Sequence, residues 1–357
     1  MTISLGQEDK TQVEAAKRIA AALLGRAVVS AETIGGGRNS RVYRIETQGG
    51  KFYAAKFYFQ HPGDKRDRAG VEFNSLQFLW NNGVRCIPEP IRADVKDACA
   101  IYGFIDGEKI VSSAVSAQDI TVAVNFLATL KDLRGKARGQ DFAPASEACF
   151  SAQALFDNLE KRFNRLLAVQ GEGEEYQWLH DFLKSEYLPF LQHAIEQTKK
   201  ELEKWGIAFT EESSASERTL SPSDFGFHNA LRRPDGSLVF LDFEYFGWDD
   251  PVKMISDFLL HPGMSLSEAS QQQFAKEIYQ VFGEYRNLAQ RVQLFYPLWS
   301  MKWTLILLNE FVPKDMLRRG FAQGELGDRK KILKEQLHKA QKMLRTVKEY
   351  YESTSHA

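Results

Sequence analysis

Between Ser221 and Asp250 the chain reads SPSDFGFHNALRRPDGSLVFLDFEYFGWDD, which sets Asp224 five positions before Asn229 and eighteen before Asp242. The pattern predicts two short strands, Ala230 to Arg232 and Ser237 to Leu241, joined by a turn at Pro234-Asp235-Gly236. Such a hairpin returns the chain to its start, so Asp224, Asn229, Asp242 and Glu244 can converge on one small volume. Three carboxylates and an amide oxygen gathered there repel one another unless a cation sits among them. Hard oxygen ligands of this kind suit a magnesium ion that also holds phosphate. The plain alternative is that Asp and Asn are common in turns, and that an Asp-x4-Asn pair often arises by chance.

Two further stretches carry possible phosphate chemistry. Ile34-Gly35-Gly36-Gly37-Arg38-Asn39-Ser40 lies between two predicted strands. Glycines there let backbone amides approach a phosphate, although an ordinary glycine hairpin has the same look. No Gly-Lys-Ser/Thr follows, and a strand rather than a helix comes next, so neither a Walker loop nor a dinucleotide fingerprint is present. Ala54-Ala55-Lys56-Phe57-Tyr58 places one lysine in an apolar strand. Facing inward, it needs a carboxylate or phosphate partner; on an edge strand it simply faces solvent. Sixteen residues later Glu72 sits on a predicted helix, where it can either face Lys56 or stay solvated.

The elements that must position these groups change character along the chain. An amphipathic helix is expected over Thr11–Leu24, stopped by Gly25. Strands follow at Val28-Val29, Glu32–Gly37, Ser40–Glu46 and Phe52–Phe59, with Gly49-Gly50 as a turn. Next come a helix over Asp67–Asn81, a loop punctuated by Pro88 and Pro90, and a strand over Ala98–Phe104. After Gly107 helical periodicity dominates: Gln118–Leu133, Ser151–Val169, Tyr176–Trp205, Pro251–Leu260, Ser267–Phe282, Asn287–Phe311 and Asp328–Tyr351. The fold class is therefore α+β, a small β-rich lobe over residues 1–105 and a large helical lobe over 106–357.

Composition sets outer bounds. The 357 residues exceed what one compact core usually holds, which favours two lobes. The 46 basic residues balance 47 acidic ones, which argues against a nucleic-acid binder built on phosphate neutralisation. Cys86, Cys99 and Cys149 fit neither a disulfide framework nor a zinc pattern but suit a reducing compartment. No signal-peptide core or membrane-length apolar run stands out, so a soluble, cytoplasmic protein is expected.

Taken in order, GGGRNSRVYRI, AAKFY, the helix glutamate, YGFIDG, SDFGFHN and LDFEYFGWDDP resemble the kinase-like small-molecule phosphotransferases, which include aminoglycoside phosphotransferases and choline and ethanolamine kinases. The resemblance runs from about residue 34 to 258 and is weakest between 110 and 215. It implies a protein-kinase-like bilobal fold and transfer of phosphate from magnesium-ATP to a small alcohol. Asp224 is then the catalytic aspartate, and Asn229 and Asp242 are the metal ligands, with Glu244 near a second metal. Lys56, held by Glu72, contacts the nucleotide phosphates, and Gly35, Gly36, Gly37, Asn39 and Ser40 cover them. The segment Tyr102 to Ile105, including Phe104, is the hinge that receives the adenine. Asp257 braces the catalytic loop.

One departure stands out: relatives mostly carry His-Gly-Asp where this chain has Pro222-Ser223-Asp224. It motivates an alternative of another class, an inactive nucleotide-binding regulator. A protein kinase is disfavoured, because Pro251 leads straight into a helix with no long activation segment before it. For the acceptor, Trp248, Trp299 and Trp303 with Glu244, Asp249 and Asp250 favour an amino sugar, a sugar or an amino alcohol, through cation–π contact or ring stacking. These tryptophans can equally be core of the helical lobe.

Overall fold

The computed structural model describes residues 5–35, 39–60, 64, 66–313 and 328–355. Helix α1 (Leu5–Leu24) buries Ala16 and Ala20 against Tyr43, Ile45, Tyr53 and Ala55 of the sheet that follows. It stops at Gly25, whose φ of +61° lies in the left-handed region a glycine enters without a Cβ clash. Strands β1 (Val28–Gly35), β2 (Ser40–Thr47), β3 (Phe52–Tyr58), β4 (Pro90–Asp94) and β5 (Cys99–Gly103) pair antiparallel in the order β1-β2-β3-β5-β4.

Two details differ from the sequence expectation. Val28 to Gly35 is one strand rather than two. The stretch after Pro88 is strand β4 rather than loop; it lies at the sheet edge with Pro90 as its first residue, a position that does not require the missing N–H.

Because β3 is flanked by β2 and β5, Lys56 sits opposite Val42 and Ala100 in the middle of the sheet. The edge-strand alternative for this lysine is thereby removed. Strand alternation sends Tyr53 and Ala55 toward α1 and Lys56 and Tyr58 to the opposite face. Helix α2 (Arg68–Asn81) is capped by Asp67, whose carboxylate accepts the Gly70 N–H at 2.8 Å.

A second small sheet joins β6 (Glu108–Lys109), β8 (Ala230–Arg232) and β9 (Leu238–Phe240). The Phe240 N–H donates to the Cys86 carbonyl at 2.9 Å. The hairpin predicted from Pro234-Asp235-Gly236 is thus present with nearly the expected bounds. The first compact unit takes in the chain up to Ile110 together with Phe227–Phe246.

The second unit, Val111–Gly226 and the described chain from Gly247 on, is mostly helical. It holds α3 (Ala117–Asp132), α4 (Arg134–Ala137), α5 (Ala152–Leu167), α6 (Glu174–Phe182), α7 (Leu188–Lys204), α8 (Pro251–Leu260), α9 (Glu268–Val281), α10 (Leu288–Leu307) and α11 (Arg329–Ser355). The single helix expected over 176–205 is α6 and α7 joined by a π turn at Leu183–Tyr187. Pro189 lacks the N–H that regular bonding across that turn requires. Strands β7 (Thr219–Ser221) and β10 (Gly247–Asp249) pair antiparallel, which no local signal predicted. A Cβ on Gly247 would meet the Ala143 carbonyl oxygen, so this approach requires glycine. A stack of Phe126, Phe225, Phe258 and Phe274, with centroids 5.3, 5.9 and 3.8 Å apart in turn, fixes the segment after β7. Among the described residues no helix is long and apolar enough to cross a membrane.

Candidate functional site

In the first unit, the Lys56 ammonium lies 2.6 Å from Glu72 and 2.7 Å from Asp242. Tyr58 donates to the same Glu72 oxygen at 2.8 Å, and its hydroxyl pairs with that of Tyr102 at 2.8 Å. Burial works against the lysine charge, but Asp242, Glu72 and Glu244 outweigh it and hold the ammonium well above its ordinary pKa. Asp242 is brought there by the hairpin: the Leu241 N–H donates to the Asn229 carbonyl at 2.8 Å, so Asn229 stands one position from Asp242 across the ladder. Asp242 itself has φ +67°, a backbone state that short polar side chains tolerate and functional positions often hold.

Glu244 is almost fully buried. Its carboxylate accepts from the Asn39 amide, and Arg68 Nε lies 3.7 Å away. Burial and the nearby charge of Asp242 push the Glu244 carboxyl up to about 7. Ligand atoms of Glu72, Asp242 and Glu244 all lie within 4.8 Å of one another. Two buried oxygens beside them, Glu244 Oε2 and Asn39 Oδ1, have no hydrogen-bond partner among the described residues. Three carboxylates facing one lysine and one arginine, with hard oxygens left over, fit a divalent cation of the magnesium type.

The remaining nucleotide-side candidates are unevenly placed. Gly35 ends β1 with φ +116°, while Gly36 and Gly37 lie outside the described residues. Asn39 and Ser40 are buried, with Ser40 opposite Tyr58. Tyr102 is in β5, where the Gly103 N–H donates to the Glu89 carbonyl at 2.8 Å. Phe104 follows and packs with Phe52 beneath the Arg44 guanidinium.

In the second unit, an Asp224 carboxylate oxygen lies 3.3 Å from His261 Nε2. The His261 ring stands edge-on to Trp303, whose indole N–H donates to Asp257 at 2.8 Å. Asp257 also faces Lys253 at 3.2 Å, and Lys253 meets Asp249 at 2.7 Å. Asp249 has no exposed surface and both carboxylate oxygens are engaged, the second by the Asp250 N–H at 3.0 Å. That leaves Asp249 no open face toward a ligand. Asp250 caps α8 and pairs with Arg291 at 2.8 Å.

The tryptophans separate. Trp303 joins the group around Asp224 through His261. Trp299 is 2% exposed and lines a cavity of about 330 Å³ whose other walls include Phe150, Trp205, Ser213 and Asp250, but neither Asp224 nor Trp303. Trp248 is half-buried in β10, its N–H bonded to the Ala143 carbonyl at 3.0 Å.

Sequence reasoning missed His261, which stands at no ligand-like spacing from another residue. It also missed Lys253, for which a signal existed: Asp249, Lys253 and Asp257 recur every fourth residue, so Lys253 and Asp257 share a face of α8 with Asp249 just before it.

A sequence model described as the phosphotransferase enzyme family matches residues 30–291. No protein of curated function matches the chain. Among solved structures, a choline kinase from Streptococcus pneumoniae aligns with a TM-score of 0.59 at 16% identity, over 94% of this chain and 99% of that one. A spectinomycin phosphotransferase, solved with ADP and spectinomycin, aligns with a TM-score of 0.62 at 12% identity, over 94% and 98%. An ethanolamine kinase from Plasmodium vivax aligns with a TM-score of 0.56 at 14% identity, over 90% and 83%. At these identities the likeness speaks to the fold: a small antiparallel-sheet lobe and a large helical lobe of protein-kinase-like type.

Proposed function

The chain belongs to the phosphotransferase enzyme family, and from that premise we propose that it is an ATP-dependent kinase moving the γ-phosphate of magnesium-ATP to a hydroxyl of a small molecule. The acceptor in this reading is an amino sugar, a sugar or an amino alcohol, and the protein acts in the cytoplasm. Residues 1–105 supply the nucleotide-binding lobe, and 106–357 the catalytic loop and acceptor side.

The observation that carries the reading is Lys56 held between Glu72 and Asp242, with Asn229 one ladder position away. Lys56 meets the α- and β-phosphates, and Glu72 fixes its ammonium in that direction. Asn229 and Asp242 hold the metal, with Glu244 beside them. A magnesium ion held by these residues would supply charge neutralisation for the transferring phosphoryl group. Asp224 orients the acceptor hydroxyl and takes its proton as the oxygen attacks. Gly35 to Ser40 cover the phosphates, and the backbone of Tyr102 to Phe104 receives the adenine. Trp303 and Trp248 flank the acceptor; Trp299 supports it from the core side, and Asp249 serves the loop rather than the ligand.

A thermal-shift titration with magnesium-ATP, repeated with amino sugars, sugars and amino alcohols and followed by ADP-release assays, tests this. Nucleotide stabilisation with acceptor-dependent ADP release, lost in Asp224→Ala with binding retained, supports the kinase. Nucleotide binding without turnover on any acceptor favours the inactive regulator that Pro222-Ser223 motivates.

A further inference from the structure

The residue before Asp224 is held in an unusual way. Ser223 has φ +68°, and the Asp224 N–H donates to the Pro222 carbonyl at 2.9 Å, so the backbone makes a one-residue γ-turn about Ser223. That turn with positive φ is rare and strained for a residue bearing a Cβ, and it persists only where the surroundings over-determine it.

The surroundings do so. The Ser223 N–H donates to Ser221 Oγ at 3.0 Å, and the Ser223 hydroxyl donates to the Ser146 carbonyl at 3.1 Å. The same hydroxyl oxygen accepts from Lys253 Nζ at 2.9 Å. Lys253 is 1% exposed, and its ammonium has three acceptors for three protons: Ser223 Oγ, Asp249 and Asp257. Burial pulls this lysine toward neutrality, but the two carboxylates more than offset it and keep it charged. Asp257 is in turn fixed by the Trp303 indole N–H.

We propose that Lys253 is a positioning residue for Asp224, acting through the Ser223 hydroxyl to hold the γ-turn from which the Asp224 carboxylate projects. Its catalytic consequence rests on the kinase reading above; its structural consequence does not. The turn is closed by Asp224's own N–H, so relaxation of Ser223 to negative φ swings the carboxylate away from its aim. Ser223, one of the two residues where this chain lacks His-Gly, is thus held by a lysine on α8.

Ser223→Ala keeps the Cβ and removes the hydroxyl, leaving the strained turn without its clamp. We expect kcat to fall about 10- to 100-fold, with KM for magnesium-ATP within about twofold of the parent. Ser223→Gly, which adopts φ +68° freely, falls less. Lys253→Met leaves two buried carboxylates uncompensated and is read only if it folds; then Ser223→Ala adds little further loss on that background. Hydrogen–deuterium exchange of the peptide over 221–226 supplies a readout that needs no turnover, and it speeds up in Ser223→Ala. Parent-like kcat in Ser223→Ala, or losses that simply add in the double variant, overturns the proposal. If the parent shows no turnover with any acceptor, the kinase reading fails and exchange alone decides: faster exchange supports the clamp, unchanged exchange overturns it.

Discussion

His261 Nε2 lies 3.3 Å from Asp224, and the same imidazole rests edge-on against Trp303 with ring centroids 4.7 Å apart. In the proposed kinase reading Asp224 aims the acceptor hydroxyl, and a partner that fixes its rotamer serves that role. His261→Ala removes that partner. The expected outcome is a kcat lower by about 10- to 100-fold with unchanged nucleotide affinity, measured by steady-state kinetics beside a nucleotide titration. An unaltered kcat would mean that the imidazole only packs.

Trp303→Phe retains most of the ring packing and loses the indole bond to Asp257 at 2.8 Å. Stability is expected to drop by about 1 kcal/mol, the usual net worth of one such bond, with a several-fold rise in acceptor KM. Trp299, one turn earlier, lines a cavity whose walls include neither Asp224 nor Trp303 and serves as the comparison: Trp299→Phe should raise acceptor KM less than Trp303→Phe does. Equal effects of the two substitutions on KM would remove Trp303 from the acceptor side.

Lys56→Met leaves Glu72, Asp242 and Glu244 facing one another without their central cation. Breaking a buried ion pair from one side destabilises by about 3–5 kcal/mol. Because the surplus oxygens suit a hard cation, millimolar magnesium should restore part of the lost melting temperature in the variant and EDTA should remove that gain. Melts that superimpose with and without magnesium would argue against a metal at Asp242 and Glu244.

Glu147 is clamped by Lys302 at 3.1 Å and by Arg162. Although burial alone would raise its carboxyl, the two cations more than reverse this and hold it at about 2. A pKa depressed in the folded state stabilises fully above the ordinary carboxylate value and loses that contribution as pH falls from about 4.5 to 2. A third of the side chain reaches solvent, so the contribution is discounted for screening to about 1–2 kcal/mol. Glu147→Gln should flatten that part of the acid-unfolding curve in chemical denaturation at stepped pH; a curve as steep as the parent's would exclude Glu147 as its source.

Much of this arrangement is legible in the amino-acid order alone. The hairpin over 230–241 carries its own turn chemistry, α8 announces itself with Asp250 and Pro251, and the alternation through Lys56 marks a strand. The short pair β7 and β10 is not legible, because three-residue strands joined across 25 intervening residues leave no periodic trace. The boundary of the first unit is equally hidden, since the hairpin's bond to Cys86 is a long-range choice.

Residue order alone is enough to name the reactive groups and their succession: a lysine in a strand, a glutamate on the next helix, and Asp224, Asn229 and Asp242 around a turn. Local periodicity and turn preference are properties of neighbouring residues, so they survive in one dimension. Long-range packing is what sets Lys56 mid-sheet rather than at an edge, pairs Asp249 with Lys253, and brings His261 to Asp224. Each of those depends on which distant surface a side chain is buried against, and burial is settled by packing of the whole chain, not by spacing along it.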